Sequence, residues 1–247
     1  MQRDELVTYL NEFLAVSQFE DVTPNGLQVE GKAEIRKIVL GVSASERLFR
    51  EAVRRKADAV LLHHGFFWKS DPHPYVIRGV RRRRLATLLT NDLNLLAYHL
   101  PLDAHPEVGN NIQILKRLNI PPLEAVEVGY IGYISRYTEL DDLIARISDL
   151  FAAKPLVLPF GKKQVEKILV ISGSSSPACE KAADLGIDTF LGGDIREEQV
   201  RVCEELGLNF IAAGHYNTEK FGVQALGQHL TEKFGIETEF VDIPNPI

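Results

Sequence analysis

Lys37-Ile-Val-Leu-Gly-Val-Ser-Ala-Ser45, followed by a helical stretch through Ala52 and then by Asp58-Ala-Val-Leu-Leu-His-His64, decides the fold because it recurs. A slide of 130 positions lays it without a gap on Lys167-Ile-Leu-Val-Ile-Ser-Gly-Ser-Ser175, a helical stretch through Ala182, and Asp188-Thr-Phe-Leu-Gly-Gly-Asp194. Lys, Ile, Ser, Ala, Asp and Leu return at matching places. The identities are few, so the shared order of elements carries the inference.

Each copy reads as a buried strand (Lys37 to Val42; Lys167 to Ser172), a Ser/Gly/Ala turn, an amphipathic helix, and a second apolar strand (Ala59 to Leu62; Thr189 to Leu191). A second helix follows, around Leu85 to Thr90 and Glu197 to Leu206, and then a third strand, Asn94-Leu-Leu-Ala-Tyr98 and Asn209-Phe-Ile-Ala-Ala213. Short apolar strands alternating with helices of about three turns are the mark of βαβ units. The expected fold is therefore α/β, with two related halves, mixed and mostly parallel sheets, and helices on the faces.

Working outward, the first copy carries an insertion, Phe66-Phe-Trp-Lys-Ser-Asp-Pro-His-Pro-Tyr75, whose prolines and aromatics predict an ordered surface loop. Pro121-Pro-Leu-Glu124 breaks the pattern where the first copy ends, giving expected domains of 1–122 and 123–247. Beyond it, Val128 to Tyr133 reads as a strand and Leu140 to Phe151 as a helix. The tail, Thr238-Glu-Phe-Val-Asp-Ile-Pro244, alternates like a strand and is a candidate to join either sheet, returning to the first domain or staying with the second.

Composition agrees with a globular chain: 247 residues, 45% apolar, 25% charged, net charge −6. Disorder, collagen and coiled coil fit it poorly. No apolar run approaches the roughly 20 residues that span a bilayer. The start, Met1-Gln-Arg-Asp-Glu-Leu6, is acidic where a signal peptide is basic, so the expectation is a cytoplasmic protein without a membrane partner. Cys179 and Cys203 form no CxxC and read as small buried hydrophobes.

In open α/β sheets, ligands bind beyond the carboxyl ends of the strands. Those positions hold His63-His64-Gly65, His99-Leu-Pro-Leu-Asp103-Ala-His105, and Gly214-His215-Tyr-Asn-Thr-Glu219. Taken singly, a histidine at a strand end is more often structural than a ligand. The repeat alters that weighing, since H-x-x-x-D and H-x-x-x-E fall at corresponding loops of the two halves. A set rich in histidine and carboxylate, without thiolates, suits zinc, iron, manganese, cobalt or nickel. It also exceeds the three protein ligands of a single catalytic zinc. Adjacent His63 and His64 point apart in an extended chain and so suit two ions. A carboxylate bridge from Glu219 would hold them roughly 3.5 to 4 Å apart.

Pro24-Asn-Gly-Leu-Gln-Val-Glu-Gly31, Leu61-Leu-His-His-Gly65, His99-Leu-Pro-Leu-Asp-Ala-His-Pro106 with Gly109-Asn-Asn111, and Gly214-His-Tyr-Asn-Thr-Glu219 resemble the dinuclear-metal family called GTP cyclohydrolase 1 type 2 (NGG1-interacting-factor-three-like). The closing Asp242-Ile-Pro-Asn-Pro246 is similar too. The resemblance spans essentially the whole chain and is to the short bacterial members. It implies two divalent metal ions per chain held by His63, His64, Asp103, His215 and Glu219, with Glu219 bridging. It places His99 beside the metals, where a proton-shuttle role suits it. It also implies a ring-shaped homohexamer with the metal sites facing an internal cavity.

Three functions are then expected as alternatives. The first is metal-assisted hydrolysis, with a metal-bound hydroxide attacking C8 of GTP and opening the guanine ring. His99 would move the protons. The second keeps the chemistry but acts on a phosphoester or amide. The third is a non-catalytic metal-containing ring that binds nucleic acid or a protein partner. Arg78 and Arg81 to Arg84 are candidates for a substrate triphosphate or for nucleic acid, against the plainer reading of a solvated helix face. Trp68 and its neighbouring phenylalanines are candidates to cover a flat base, to anchor their loop or to make a subunit contact. The Asn25-Gly26 turn reads as structural, and Asp194 as a residue that orients a ligand or as an ordinary carboxylate.

Overall fold

A computed structural model describes residues 1–71 and 76–247, with backbone alone at 135–137. The expected loop from Phe66 to Tyr75 is therefore described through Asp71, and its last four residues lie outside the described residues. The chain divides into two compact units, Met1–Leu102 with Gly222–Ile243, and Asp103–Phe221 with Pro244–Ile247.

The first unit contains β1 (Gly26–Val29), β2 (Lys37–Ser43), β3 (Ala59–His64) and β4 (Asn94–Ala97). The second contains β5 (Pro122–Val126), β6 (Gly129–Glu139), β7 (Leu156–Pro159), β8 (Gln164–Val170), β9 (Thr189–Gly192) and β10 (Asn209–Ala212). The last strand, β11 (Glu237–Phe240), belongs to the first sheet, parallel to β2. The sheet orders are β1-β4-β3-β2-β11 and β5-β6-β8-β9-β10-β7.

In both sheets the three repeated strands run parallel and side by side, β2-β3-β4 and β8-β9-β10. The third strand of each triplet is flanked by an antiparallel strand, β1 or β7. Those two flanking strands are themselves 130 positions apart, so the repeat begins earlier than the stretch that revealed it. The central strands are apolar on both faces because helices cover both faces. β8 shows the alternation: Ile168 and Val170 face one core with Leu143 and Ile147, whereas Leu169 faces another with Phe190 and Phe210. In the first unit, the helix Glu46–Arg54 starts where Ser45 accepts a hydrogen bond from the Leu48 amide, and it buries Leu48, Phe49 and Ala52.

A duplicated polar bracket confirms the kinship of the halves. Buried Asn94 accepts from the Gly31 amide and donates to the Lys32 carbonyl, both at 2.8 Å. Asn209 does the same with Gly161 and Lys162, again at 2.8 Å. Asp58 accepts from the Arg36 and Lys37 amides, and Asp188 from those of Glu166 and Lys167. In both copies the glycine lies against backbone: a Cβ on Gly31 would stand 2.4 Å from the Asp92 carbonyl oxygen, and one on Gly161 2.7 Å from that of Gly207.

The division of the chain differs from the expected 122/123 boundary. The helix Asn110–Arg117 sends Ile112 and Leu115 into the core of the second unit, which moves the cut back to Leu102. Pro122 opens β5, an edge strand in which a missing N–H is tolerated. The second helix of the first copy begins at Gly79 and so includes the arginine run. Among the described residues no helix is long and apolar enough to cross a membrane.

Candidate metal centre

The first unit brings three histidines together. His63 and His64 end β3, and His99 follows β4, so all three stand at the carboxyl ends of parallel strands. One ring nitrogen from each lies within 4.8 Å of the others. The adjacent pair does not diverge as an extended chain predicts. β3 ends at His64, and the His63 and His64 rings lie 4.7 Å apart at 43°.

The surroundings fix which nitrogen each ring offers. His63 Nδ1 lies 3.1 Å from the Tyr98 carbonyl oxygen, so it carries the proton and donates. His64 Nδ1 lies 3.1 Å from Ser43 Oγ, and His99 Nδ1 2.8 Å from Asp21 Oδ1. In each ring an oxygen holds Nδ1, the arrangement that suits coordination or proton transfer through Nε2.

Asp21 is more than a partner for one nitrogen. It accepts from Asn25 Nδ2 at 2.9 Å and from the Leu100 amide at 3.0 Å, while Asn25 Oδ1 accepts from the His99 amide at 2.7 Å. Burial opposes its ionisation, but hydrogen bonds from His99 and Asn25 outweigh burial and hold the Asp21 carboxyl well below the ordinary range. Trp68 edges onto His99 with ring centres 5.4 Å apart and lies 5.7 Å from the His64 ring.

The second unit supplies one imidazole and two carboxylates. His215 begins the short helix after β10, and Glu219 follows that helix. His215 Nδ1 lies 2.7 Å from Asp194 Oδ2, and its Nε2 3.2 Å from Glu219 Oε1. Burial alone would lower the His215 pKa, but hydrogen bonding and charge from Glu219, then Asp194, push it up to about 9. Asp103, 5% exposed, accepts from Asn110 Nδ2 at 2.8 Å and from Ser172 Oγ at 3.0 Å. The next residue after Ser172, Gly173, has φ +64, and a Cβ there would stand 2.3 Å from Glu219 Oε1. A glycine is needed at that turn both for the backbone angle and for room beside the carboxylate.

Of the residues singled out in the sequence, His63, His64 and His99 thus form one group, and His215 with Glu219 another. Asp194 orients His215, and Asn25 grips His99. The arginine run divides: Arg83 pairs with Glu46 at 2.9 Å, Arg81 pairs with Asp71, and Arg82 is exposed. Asp21 escapes sequence reasoning, and only its place three residues before Pro24-Asn25-Gly26 hints at it. Ser43 and the Tyr98 carbonyl have no sequence signal of their own.

Each unit offers donors that suit borderline divalent metals: three imidazoles with Nδ1 held by an oxygen in the first, and in the second one such imidazole with the buried carboxylates of Asp103 and Glu219. A buried carboxylate stands where a cation or hydrogen bonds hold it. The family model Duf34/NIF3 (NGG1p interacting factor 3) matches residues 1–246. A "GTP cyclohydrolase 1 type 2 homolog" of Yersinia pestis is 43% identical over 249 residues, covering all of both chains. The solved structure of protein ybgI, described as of unknown function, has a TM-score of 0.96 at 42% identity over the full length of both chains. A protein from Thermus thermophilus has 0.90 at 38%, again over both full lengths.

Proposed function

The chain belongs to the Duf34/NIF3 family, and on that premise we propose that it is a dinuclear metal-dependent hydrolase acting on a purine nucleotide. His63, His64, Asp103, His215 and Glu219 would hold the two ions, with Glu219 shared. The observation that carries the reading is the anchoring of Nδ1 to an oxygen in His63, His64 and His215, the arrangement in which an imidazole that coordinates through Nε2 is held by its other nitrogen. Paired divalent ions supply an acidified water and a polarised electrophile.

The chain's own residues do the rest. Asp21 holds His99 in one tautomer and one orientation, so that Nε2 accepts and returns a proton. For GTP the bond to be broken lies at C8 of the guanine, and opening the imidazole ring requires a proton at the departing ring nitrogen. His99 is the group to deliver it. Trp68 supplies an apolar wall beside His64 and His99. The name shared by the relatives supports the nucleotide class, and paired-metal chemistry equally serves phosphoesters and amides, which the test therefore includes. The homohexameric ring implied by the family resemblance is part of this reading and is checked by light scattering of the metal-loaded protein.

The test compares wild type with Glu219→Gln. Full loading of wild type should give two metals per chain by elemental analysis. Glu219→Gln should lose at least one of them, together with turnover of GTP measured beside a panel of phosphoesters and amides. One metal per chain in wild type at saturation would sink the dinuclear proposal. Unchanged turnover in the variant would remove Glu219 from the chemistry.

A further inference from the structure

Cys179 and Cys203 lie outside the metal-ligand set, and their placement is not that of two independent apolar side chains. Cys179 opens the helix Cys179–Asp184, and Cys203 lies near the end of the helix Glu197–Leu206. Both are fully buried in the core that includes Phe190, Phe210 and Leu208. Their Sγ atoms are 3.2 Å apart, joined by a thiol–thiol hydrogen bond across 24 positions of sequence. A disulfide places its sulfurs about 2.05 Å apart, so closure asks for an approach of only about 1.1 Å.

We propose that Cys179 and Cys203 are a redox-active dithiol that closes to an intrachain disulfide on reaction with a low-molecular-weight disulfide. The helix carrying Cys179 is short and lies at the surface, with Pro177, Glu180, Lys181 and Asp184 exposed around it. Opening of that one turn and a half admits the oxidant without unfolding the sheet behind it.

The thiolate of one cysteine displaces one thiolate from the oxidant and forms a mixed disulfide. The other cysteine, 3.2 Å away, then gives up its proton and attacks that sulfur, expelling the second thiolate. Two protein thiols and one small disulfide become one protein disulfide and two small thiols, and two electrons pass to the oxidant.

The experiment uses the full-length chain with oxidised glutathione as the probe. Folded wild type should lose both thiols and two hydrogens in intact mass. Its melting temperature should rise by roughly 5 °C or more, and dithiothreitol should reverse the change. Neither Cys179→Ser nor Cys203→Ser should lose two hydrogens or gain the rise in melting temperature under the same conditions. If the unfolded chain closes the bond but the folded chain keeps both thiols at the same glutathione ratio after equilibration, the pair is packing alone and the proposal fails.

Discussion

His215 is the residue on which the second half of the candidate centre turns. Two carboxylates face its two nitrogens, and they outweigh burial to push its pKa up to about 9. In the metal-free chain at neutral pH it therefore carries a proton, which a metal ion bound as proposed would displace. Metal affinity is expected to fall about tenfold per pH unit as the pH drops below about 9, and loading at pH 7.5 should release about one proton per chain from this site. Calorimetric titration with zinc in two buffers of different ionisation enthalpy measures that release; none would remove His215 from the ligands. The same shift acts on stability without metal. Because the folded pKa lies above the ordinary 6.5, the contribution is complete below about pH 6.5 and is lost as the pH rises through about 9. Asp194 acts through His215, since it touches the Nδ1 that faces away from Glu219. Asp194→Asn should weaken zinc binding about 10- to 100-fold in a chelator competition while leaving the fold intact. Wild-type affinity in that variant would reduce the Asp194 contact to a surface ion pair.

At the scale of elements, the repeated βαβ frame was legible because apolar strands and their spacing are written locally. Lys37-Ile-Val-Leu and Lys167-Ile-Leu-Val are buried strands wherever they are placed. What joins strand to strand is harder to read. Asn94 and Asn209 open β4 and β10 as buried polar residues, and their meaning lies in backbone groups some sixty and fifty positions away. The linear pattern marks both only as strand residues. Asn94→Ala or Asn209→Ala strands an amide and a carbonyl at a strand entrance, and each should cost about 2–3 kcal/mol in urea unfolding. A cost below about 0.5 kcal/mol would mean that water replaces the bracket. Asp58 offers a pH test of the same frame. Burial opposes its ionisation, but Lys32 and the Arg36 and Lys37 amides outweigh burial and lower its pKa. Its contribution is present above about pH 4 and is lost as the pH falls through the lowered folded value. Wild type should therefore exceed Asp58→Asn in stability at pH 7, and the gap should close below pH 4. A gap constant across that range would show that the carboxylate charge has no part in it. The candidate histidines are marked by the same local pattern, standing at or just past strand ends. Asp21 is not, because nothing in a linear pattern announces that a loop residue will meet His99 across 78 positions.

At the scale of the whole molecule, the division of the chain is the feature least visible in the sequence. A proline pair marks a break in pattern, but a unit is defined by what shares a core, and the helix Asn110–Arg117 commits its apolar face to the second sheet. The first unit is completed from the other end of the chain. The helix Lys220–Phe234 packs on β2 so closely that a Cβ on Gly227 would stand 2.1 Å from Leu40 Cδ1. β11 then pairs along β2, with Glu237 on Lys37 and Glu239 on Arg55. Those partly exposed ion pairs contribute little on their own. The ladder matters more, since without β11 the backbone of β2 becomes an unpaired sheet edge. The intervening chain Asp103–Phe221 adds only a logarithmic closure cost, which is why so distant a strand is tolerated. Truncation after Gly235 should therefore strip hydrogen-exchange protection from the amides of β2 and β3 by at least about tenfold, while those of β8 and β9 keep theirs, because the second sheet takes no strand from the C-terminal segment. Equal loss in both sheets would show that the two units unfold as one, and full protection of β2 would show that β11 merely lies along a sheet already complete without it.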